Sequence, residues 1–333
     1  MITIKDIAKM ANVSPATVSR VINDGPKVGL KTRKHVKQVM DQLGYRPNIN
    51  ARALVNKKST SLGLVLAELM DPFFATYANA IEKIAREQNT QLLMSSGSSD
   101  ADSERRAINT LLDHRVTAMI VHSKFLDDKE LIEFANQVPG FVLINRYIEQ
   151  IQDRCVWLDN TIGGYKMAEY LYNLGHREVA VVSSDFDIED RRDRLTGVKQ
   201  FFNEKNIPLS DANIVFAAPN QQGGEIAMRQ LLTSAVNYTA VITYNDAMAS
   251  GVMNILHDNN LDVPNDVSVI GFDDVIIAQY CRPKLSTMNY PIEHMASNAA
   301  NLALKFAAGE KFEVEPQHKF IPTIVARNST AKL

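Results

Sequence analysis

The chain has 333 residues, which is long enough for two or three folded units with a substantial core. With 45% hydrophobic and 22% charged residues, its composition is typical of a globular protein and excludes a disordered or fibrous one. No apolar run reaches the roughly 18 residues that a membrane span needs, and no secretory signal precedes the first helix. We therefore expect a cytoplasmic protein without a membrane segment.

The formal net charge of −2 hides a strong asymmetry along the chain. Residues 1–60 carry twelve Lys or Arg side chains against three acids, a formal charge of +9, which leaves −11 for the remainder. A basic N-terminal segment on an acidic body attracts phosphate at one end only. The pattern favours a nucleic-acid-binding head.

Three short helices are predicted in this basic segment. Thr3 can cap a first helix that extends to Met10, and Ser14 followed by Pro15 is typical of the start of a second helix. A third helix is predicted from Lys31 to Leu43, because Gly44 follows it as a stop signal. We expect the apolar faces of these helices to form one small core.

Beyond the head, short apolar runs alternate with amphipathic stretches such as 74–87 and 163–174. The runs that read as buried parallel strands are LGLVLA, QLLMSS, AMIVHS, FVLIN, VAVVSS, TAVITY and VSVIGF. This alternation predicts a doubly wound α/β body. No Gly-x-Gly-x-x-Gly, Walker loop or Gly-x-Ser-x-Gly elbow accompanies the strands, so an enzyme is not expected.

Ligands of doubly wound folds bind at the carboxyl ends of the strands. The residues found there are Asp71 to Phe74, His122, Asn145 and Arg146, Asp185 to Arg194, Asn245 and Asp246, and Phe272 to Asp274. Carboxylates, amides, an arginine and aromatic rings are the groups that bind a neutral polyol. Cys155 and Cys281 are far apart in the sequence and have no metal-ligand spacing, so we expect neither a metal nor a cofactor.

The strings TIKDIAKMANVSPATVSRVIND and LGYRPN resemble the N-terminal signature of the lactose-repressor family of transcription regulators. The resemblance implies that the second helix reads base edges through Pro15, Ala16 and Arg20. Of these, only Arg20 has hydrogen bonds to offer, plausibly to guanine. Contacts to the DNA backbone are implied for Thr3, Ser14, Thr17, Ser19, Asn23 and Lys31.

The segment from Asn48 to Leu54 has too few apolar residues to fold alone as a helix. In the lactose-repressor family this segment is a hinge helix that folds on DNA. The resemblance implies that Leu54 wedges into the minor groove and that Asn50, Ala51 and Ala53 flank it. A flexible linker with Leu54 packed on the body is the alternative.

The body resembles the periplasmic sugar-binding fold that serves as the effector domain of this family. The blocks that carry the resemblance include GHREVAVVSS, RRDRLTGVKQF, AVITYNDAMASG, VSVIGFDD and LSTMNYP. They imply effector contacts from Asn145, Arg194, Asn245 and Asp273. Asp71 and Phe73 or Phe74 are implied as the carboxylate and the stacking ring, and His122 is either a further contact or a structural residue.

The resemblance covers essentially the whole chain and implies a small all-α helix-turn-helix head plus a two-lobed, type I periplasmic-binding-protein-like α/β effector domain. The implied boundaries are 1–47 for the head, 48–60 for the hinge helix and linker, and 61–330 for the effector and dimerisation domain. Its lobes are about 61–160 with 291–320, and 161–290 with 321–330.

Blocks such as VLINRY, DPFF, GGEIAM and PTIVAR are most similar to the galactose repressor and isorepressor branch of the family. That similarity implies a homodimeric repressor that binds a palindromic operator and is released by a sugar inducer, D-galactose. Genes of sugar uptake and catabolism are the implied targets. The alternative is a repressor of the same family that responds to a nucleoside, a purine or another sugar.

Overall fold

The structure, a computed structural model, describes residues 2–23, 25–45, 61–97, 100–310 and 317–333. The chain divides into two compact units, Met1–Thr60 and Ser61–Leu333, and each is described here by itself. The hinge residues named from the sequence, Asn50, Ala51, Ala53 and Leu54, lie outside the described residues.

The described part of the first unit contains three helices, α1 (Ile4–Met10), α2 (Pro15–Ile22) and α3 (Leu30–Gln42). Helix α1 begins with a capping box, in which the Thr3 backbone N–H donates to the Asp6 carboxylate at 2.8 Å. Helix α2 begins where the Ser14 hydroxyl accepts the Thr17 N–H at 3.0 Å, with Pro15 in the first helical position. These are the caps that the sequence predicts.

The small core of this unit comes from all three helices. Its buried members are Ile7, Ala8, Ala11, Val18, Val21, Val36, Val39 and Met40. Ile4, Ile22 and Leu43 pack against this core but are only half-buried because they lie at helix ends. Helix α3 also begins and ends one residue earlier than predicted, since Leu43 is its C-cap and Gly44 adopts a left-handed φ of +61°.

The second unit alternates strands and helices. In chain order they are β1 (Ser61–Leu66), α4 (Pro72–Glu87), β2 (Gln91–Ser96), α5 (Ala101–Asp113), β3 (Ala118–Val121), α6 (Asp128–Gln137), β4 (Gly140–Ile144), β5 (Cys155–Leu158), α7 (Asn160–Asn173), β6 (Val179–Ser184), α8 (Glu189–Glu204), β7 (Ile214–Ala217), α9 (Gln221–Thr233), β8 (Ala240–Thr243), α10 (Asp246–Asp258), β9 (Ser268–Asp273), α11 (Ile276–Tyr280), β10 (Ser286–Asn289), α12 (Ile292–Ala308), β11 (Lys319–Phe320) and β12 (Thr323–Val325).

The described strands form two six-stranded sheets, one in each lobe. The first lobe has the strand order β11-β5-β4-β3-β1-β2 and the second has β12-β10-β9-β8-β6-β7. All strand pairs are parallel except β10 with β12. The chain therefore passes between the lobes after β5, after β10 and between β11 and β12. No helix in the described part of the chain is long and apolar enough to cross a membrane.

The seven runs predicted as strands are all strands in the structure. Strands β5, β7, β10, β11 and β12 were not predicted from the sequence. Strands β5 (CVWL) and β7 (IVFA) are apolar but short, and the other three have no clear apolar run. Two helices also begin earlier than predicted. Helices α4 and α7 start at Pro72 and Asn160, because the Asp71 and Asp159 carboxylates cap their first turns.

The single tryptophan, Trp157, lies on β5 beside a segment that joins the lobes. Its register partner on β11 is Lys319, whose Nζ lies 4.9 Å from the centroid of the indole ring. The ring of Tyr147 packs on the indole as well, with centroids 5.2 Å apart.

Helices α7 and α8 of the second lobe approach each other closely because glycines lie at their contact. A Cβ on Gly164 would lie 1.9 Å from the carbonyl oxygen of Arg194, and a Cβ on Gly197 would lie 2.0 Å from that of Thr161. Both positions therefore require glycine. This contact fixes the backbone that carries Arg194.

We predict that Gly164→Ala lowers the free energy of unfolding by about 1–3 kcal/mol or more, because the added methyl forces α7 and α8 apart. Urea denaturation followed by circular dichroism measures the change. Glu169→Ala, at an exposed position of the same helix, is the matched control and should shift the free energy by less than about 0.5 kcal/mol. An unchanged or raised stability for Gly164→Ala contradicts the prediction.

Candidate functional site

In the first unit, helix α2 presents an exposed face opposite its buried residues. Val18 and Val21 are buried in the core, whereas Pro15, Ala16 and Arg20 are exposed. A short exposed helix of this size fits the major groove, where a guanidinium can donate two hydrogen bonds to a guanine edge. The structure therefore brings the three base-reading candidates to one accessible face.

Most of the backbone-contact candidates lie at helix ends, and Ser19 lies half-buried within α2. Thr3 and Ser14 are the N-caps of α1 and α2, and the Ser14 hydroxyl is 2.9 Å from that of Thr17. The Asn23 amide donates to the Ser19 hydroxyl at 3.4 Å, and Lys31 is exposed in the first turn of α3. Helix N-termini attract phosphate because their first N–H groups point outward. Their contact with DNA stays a prediction.

In the second unit, a cavity of about 180 Å³ lies between the two lobes. All eight effector candidates line it, namely Asp71, Phe73, Phe74, His122, Asn145, Arg194, Asn245 and Asp273. Most of them follow the carboxyl ends of β1, β3, β4, β8 and β9, which explains why residues distant in sequence converge. That they bind an effector stays a prediction.

The aromatic side of the cavity is a cluster of edge-to-face rings. Phe73 is buried and packs on Tyr77 and Tyr290, with centroids 5.0 Å away in each case. Phe74 is only half-buried and lies 4.9 Å from the His122 ring. Of the two phenylalanines, Phe74 therefore has more ring surface to offer a ligand.

Two buried polar atoms in the cavity wall have no hydrogen-bond partner among the described residues, His122 Nδ1 and Asn145 Oδ1. Burial, with the nearby charge of Lys124, lowers the pKa of His122 to about 3, so the imidazole is neutral near pH 7. A buried polar atom without a partner costs about 1–3 kcal/mol. The two atoms are therefore candidates for hydrogen bonds to a ligand.

Arg194 is held firmly by its neighbours. Its Nε donates to Asn160 Oδ1 at 2.9 Å and its Nη1 to the Tyr244 carbonyl at 2.7 Å, while the guanidinium stacks 3.6 Å from the Phe272 ring centroid. Its Nη2 lies 3.8 Å from Asp273 Oδ1. Burial raises the pKa of Asp273 more than the charge of Arg194 lowers it.

Asp71 and Asn245 each have a structural task beside the predicted one. Asp71 Oδ1 accepts the Phe73 N–H at 2.9 Å as the cap of α4, and burial raises the pKa of this carboxyl. Asn245 Oδ1 accepts the Met248 N–H at 2.8 Å as the cap of α10, and its Nδ2 donates to the Pro219 carbonyl. Capping consumes part of the capacity of Asn245 to bind a ligand.

Lys124 and Tyr244 also line the cavity but were not predicted from the sequence, and Asp190, which lines it too, was included only within the range from Asp185 to Arg194. Lys124 Nζ lies 2.6 Å from Asp190 Oδ1, and both side chains are almost fully buried. The charges of Lys124 and Arg194 outweigh the effect of burial and lower the pKa of Asp190. The available signal was the position of Lys124, two residues beyond His122 at the end of a buried strand.

Comparison with known proteins identifies both units. Residues 3–48 match the family profile described as bacterial regulatory proteins, lacI family, and residues 168–330 match the periplasmic binding protein-like domain. A solved structure of the Lac repressor dimer bound to operator and the anti-inducer ONPF superposes with a TM-score of 0.87 at 25% identity, covering 99% of each chain.

Among curated proteins, the HTH-type transcriptional regulator GalR of Salmonella typhimurium (strain LT2) is 44% identical over 99% of this chain and 96% of its own length. The regulator GalS of the same strain is 43% identical over 99% of this chain and 97% of its own length. The matched relatives are named as regulators rather than enzymes. The chain belongs to the LacI family of DNA-binding transcriptional regulators, in the branch that contains GalR and GalS.

Proposed function

We propose that this protein represses transcription by binding a palindromic operator, and that a small neutral sugar, with D-galactose as the first candidate, lowers its affinity for DNA. The observation that carries the proposal is the interlobe cavity, which is lined by a neutral imidazole, by an amide whose oxygen has no partner in the described part of the chain, and by a half-buried phenyl ring. Such groups match the hydroxyls and the C–H face of a sugar.

The charges around the cavity favour an uncharged ligand. Lys124 is paired with Asp190, and the Arg194 guanidinium already donates to Asn160 Oδ1 and to the Tyr244 carbonyl, so both cations are engaged with the protein. Glu68 and Asp71 add negative charge to the same wall. A phosphorylated sugar or a nucleotide would meet repulsion here, whereas a neutral hexose would not.

The DNA-binding head supplies the other half of the proposed function. Two copies of helix α2 in a homodimer would read the two halves of the operator, with Arg20 as the hydrogen-bonding reader and Pro15 and Ala16 in apolar contact. Hinge contacts from Asn50, Ala51, Ala53 and Leu54 belong to this proposal as well. Such a regulator acts in the cytoplasm, where the DNA is, and sugar uptake and catabolism genes are its proposed targets.

Sugar and DNA would be coupled by a shift between two populations of the body, one compatible with operator binding and one not. We predict that D-galactose weakens binding to an operator duplex selected from random palindromic sequences by about 5- to 150-fold, the usual range of allosteric coupling. Fluorescence anisotropy of labelled duplex measures it. Unchanged or tighter binding contradicts the inducer proposal.

Repeating the DNA-binding titration with other ligands distinguishes between the possible effectors. D-glucose, adenosine and hypoxanthine are the comparison ligands, with thermal shift as a second readout because only a bound ligand raises the melting temperature. A response to adenosine or hypoxanthine, and none to D-galactose, would favour the nucleoside or purine alternative.

We predict that Arg20→Ala weakens binding to the selected operator by about 1–3 kcal/mol, because one bidentate base contact is lost. Binding to a scrambled duplex should fall much less. Lys37→Ala is the matched control, since it removes a positive charge from an exposed position of α3 and should weaken both duplexes equally. Equal losses on both duplexes for Arg20→Ala would show that Arg20 binds only the backbone.

A further inference from the structure

A buried ion pair joins the two lobes of the body at the wall of the cavity. Lys124 follows β3 of the first lobe, and its Nζ lies 2.6 Å from Oδ1 of Asp190 on α8 of the second lobe. The same ammonium donates to the backbone carbonyl of Asn145. The two charged side chains are only 6% and 7% exposed.

Among the described residues, the carboxylate that pairs with the Lys124 ammonium lies across the cleft, whereas Asp190 also feels the charge of Arg194 on its own helix. Removing one partner of such a pair leaves an uncompensated buried charge, which is far more costly than removing both. The ion pair therefore forms only when the lobes approach, and it favours the arrangement in which they do.

The loop that carries Lys124 is fixed by a buried carboxylate from α5. Glu104 accepts hydrogen bonds from the backbone N–H groups of Lys124 at 2.8 Å, Phe125 at 3.2 Å and Leu126 at 3.1 Å, and from the Ser123 hydroxyl. An acceptor-only carboxylate that receives four donors holds a loop rigidly. Lys124 is thus set in position by its own lobe.

Two further contacts cross the cleft next to the ion pair. The rings of Phe125 and Phe186 meet edge to face with centroids 6.0 Å apart. Arg146 Nε lies 3.8 Å from Glu189 Oε1. Segment 186–190 of the second lobe therefore contacts the loops that follow the strand ends of the first lobe.

Asp190 also determines which way the Asn145 side chain faces. Asn145 Nδ2 donates to Asp190 Oδ2 at 3.0 Å, and an ionised carboxylate can only accept, so the amide nitrogen has to point toward it. The amide oxygen is then left on the other side. That oxygen is buried and has no partner among the described residues, and Asn145 is one of the residues that line the cavity.

We propose that Lys124 and Asp190 are positioning residues of the effector cavity, whose ion pair holds the two lobes together and turns the carboxamide oxygen of Asn145 toward a hydroxyl of the effector. The orientation of Asn145 toward an effector rests on the proposed function, whereas the role of the ion pair in joining the lobes does not. The cluster of Lys124, Asp190 and Asn145 would thereby both close the lobes and present a hydrogen-bond acceptor to the effector.

The first test needs no sugar. Hydrogen exchange of the full-length protein is followed by mass spectrometry in the variants Lys124→Met and Lys124→Met/Asp190→Asn. Backbone amides in segment 186–190 should exchange faster than in the wild type, on the order of tenfold, because the lobes separate more often. The double variant leaves no unpaired buried charge and remains informative if the single variant folds poorly.

Lys199→Met is the matched control for this experiment. Its ammonium lies 2.8 Å from Asp211 Oδ1, but both residues belong to the second lobe. Exchange in segment 186–190 should not change in this variant. Unchanged exchange in both Lys124 variants would overturn the claim that the ion pair holds the lobes together.

The second test is a double-mutant cycle on D-galactose affinity, measured by calorimetry. Lys124→Met/Asp190→Asn should bind on the order of tenfold more weakly than the wild type. Asn145→Ala should cost affinity in the wild-type background and less in the Lys124→Met/Asp190→Asn background, since an amide at position 190 can donate as well as accept and no longer fixes the orientation of the Asn145 side chain. A purely structural role of the pair would make the two losses additive.

The outcomes separate the two proposals. Additive losses, or unchanged affinity in the double variant, overturn the orienting role of the pair while sugar binding itself stands. A wild-type protein that binds no sugar contradicts the proposed function and the role of Asn145. The exchange result then still decides whether the ion pair joins the lobes.

Discussion

The need to satisfy polar groups buried between the two lobes is the constraint on which the rest of the site depends. Each lobe is a parallel sheet whose strand ends carry amides, carboxylates and cations into the same cleft. Some of these groups find partners across the cleft, as Lys124 does with Asp190, and others, such as His122 Nδ1, find none among the described residues. Lobe closure and ligand binding therefore both supply hydrogen-bond or ion-pair partners to polar groups that are buried in the cleft.

Much of the fold could be predicted from sequence because its signals are local. Apolar runs of four to six residues marked the central strands, and caps such as Thr3 and Ser14 marked helix starts. The short strands β10 and β12 carry no such run, since they are strands only by virtue of pairing with each other and with β9. Pairing across the chain cannot be read from a single segment.

The site was predictable in outline and not in detail. The strand-end rule and the family resemblance together indicated the eight residues that line the cavity, but neither could distinguish a ligand contact from a helix cap, as Asn245 shows. The ion pair of Lys124 and Asp190 joins residues that are 66 positions apart, and nothing near either residue indicates the other. Close packing adds a further hidden requirement, because Arg194 reaches the cavity only if Gly164 lets α7 approach α8.

Trp157 gives the molecule an internal optical label. It is the single tryptophan of the chain, it lies on a strand next to the passage between the lobes, and it has the ammonium of Lys319 over its ring. Indole fluorescence is sensitive to a nearby charge, so the emission of Trp157 reports on the pairing of β5 with β11. Rearrangement of the connecting segments is thus visible in the unmodified protein, without attached dyes or engineered cysteines.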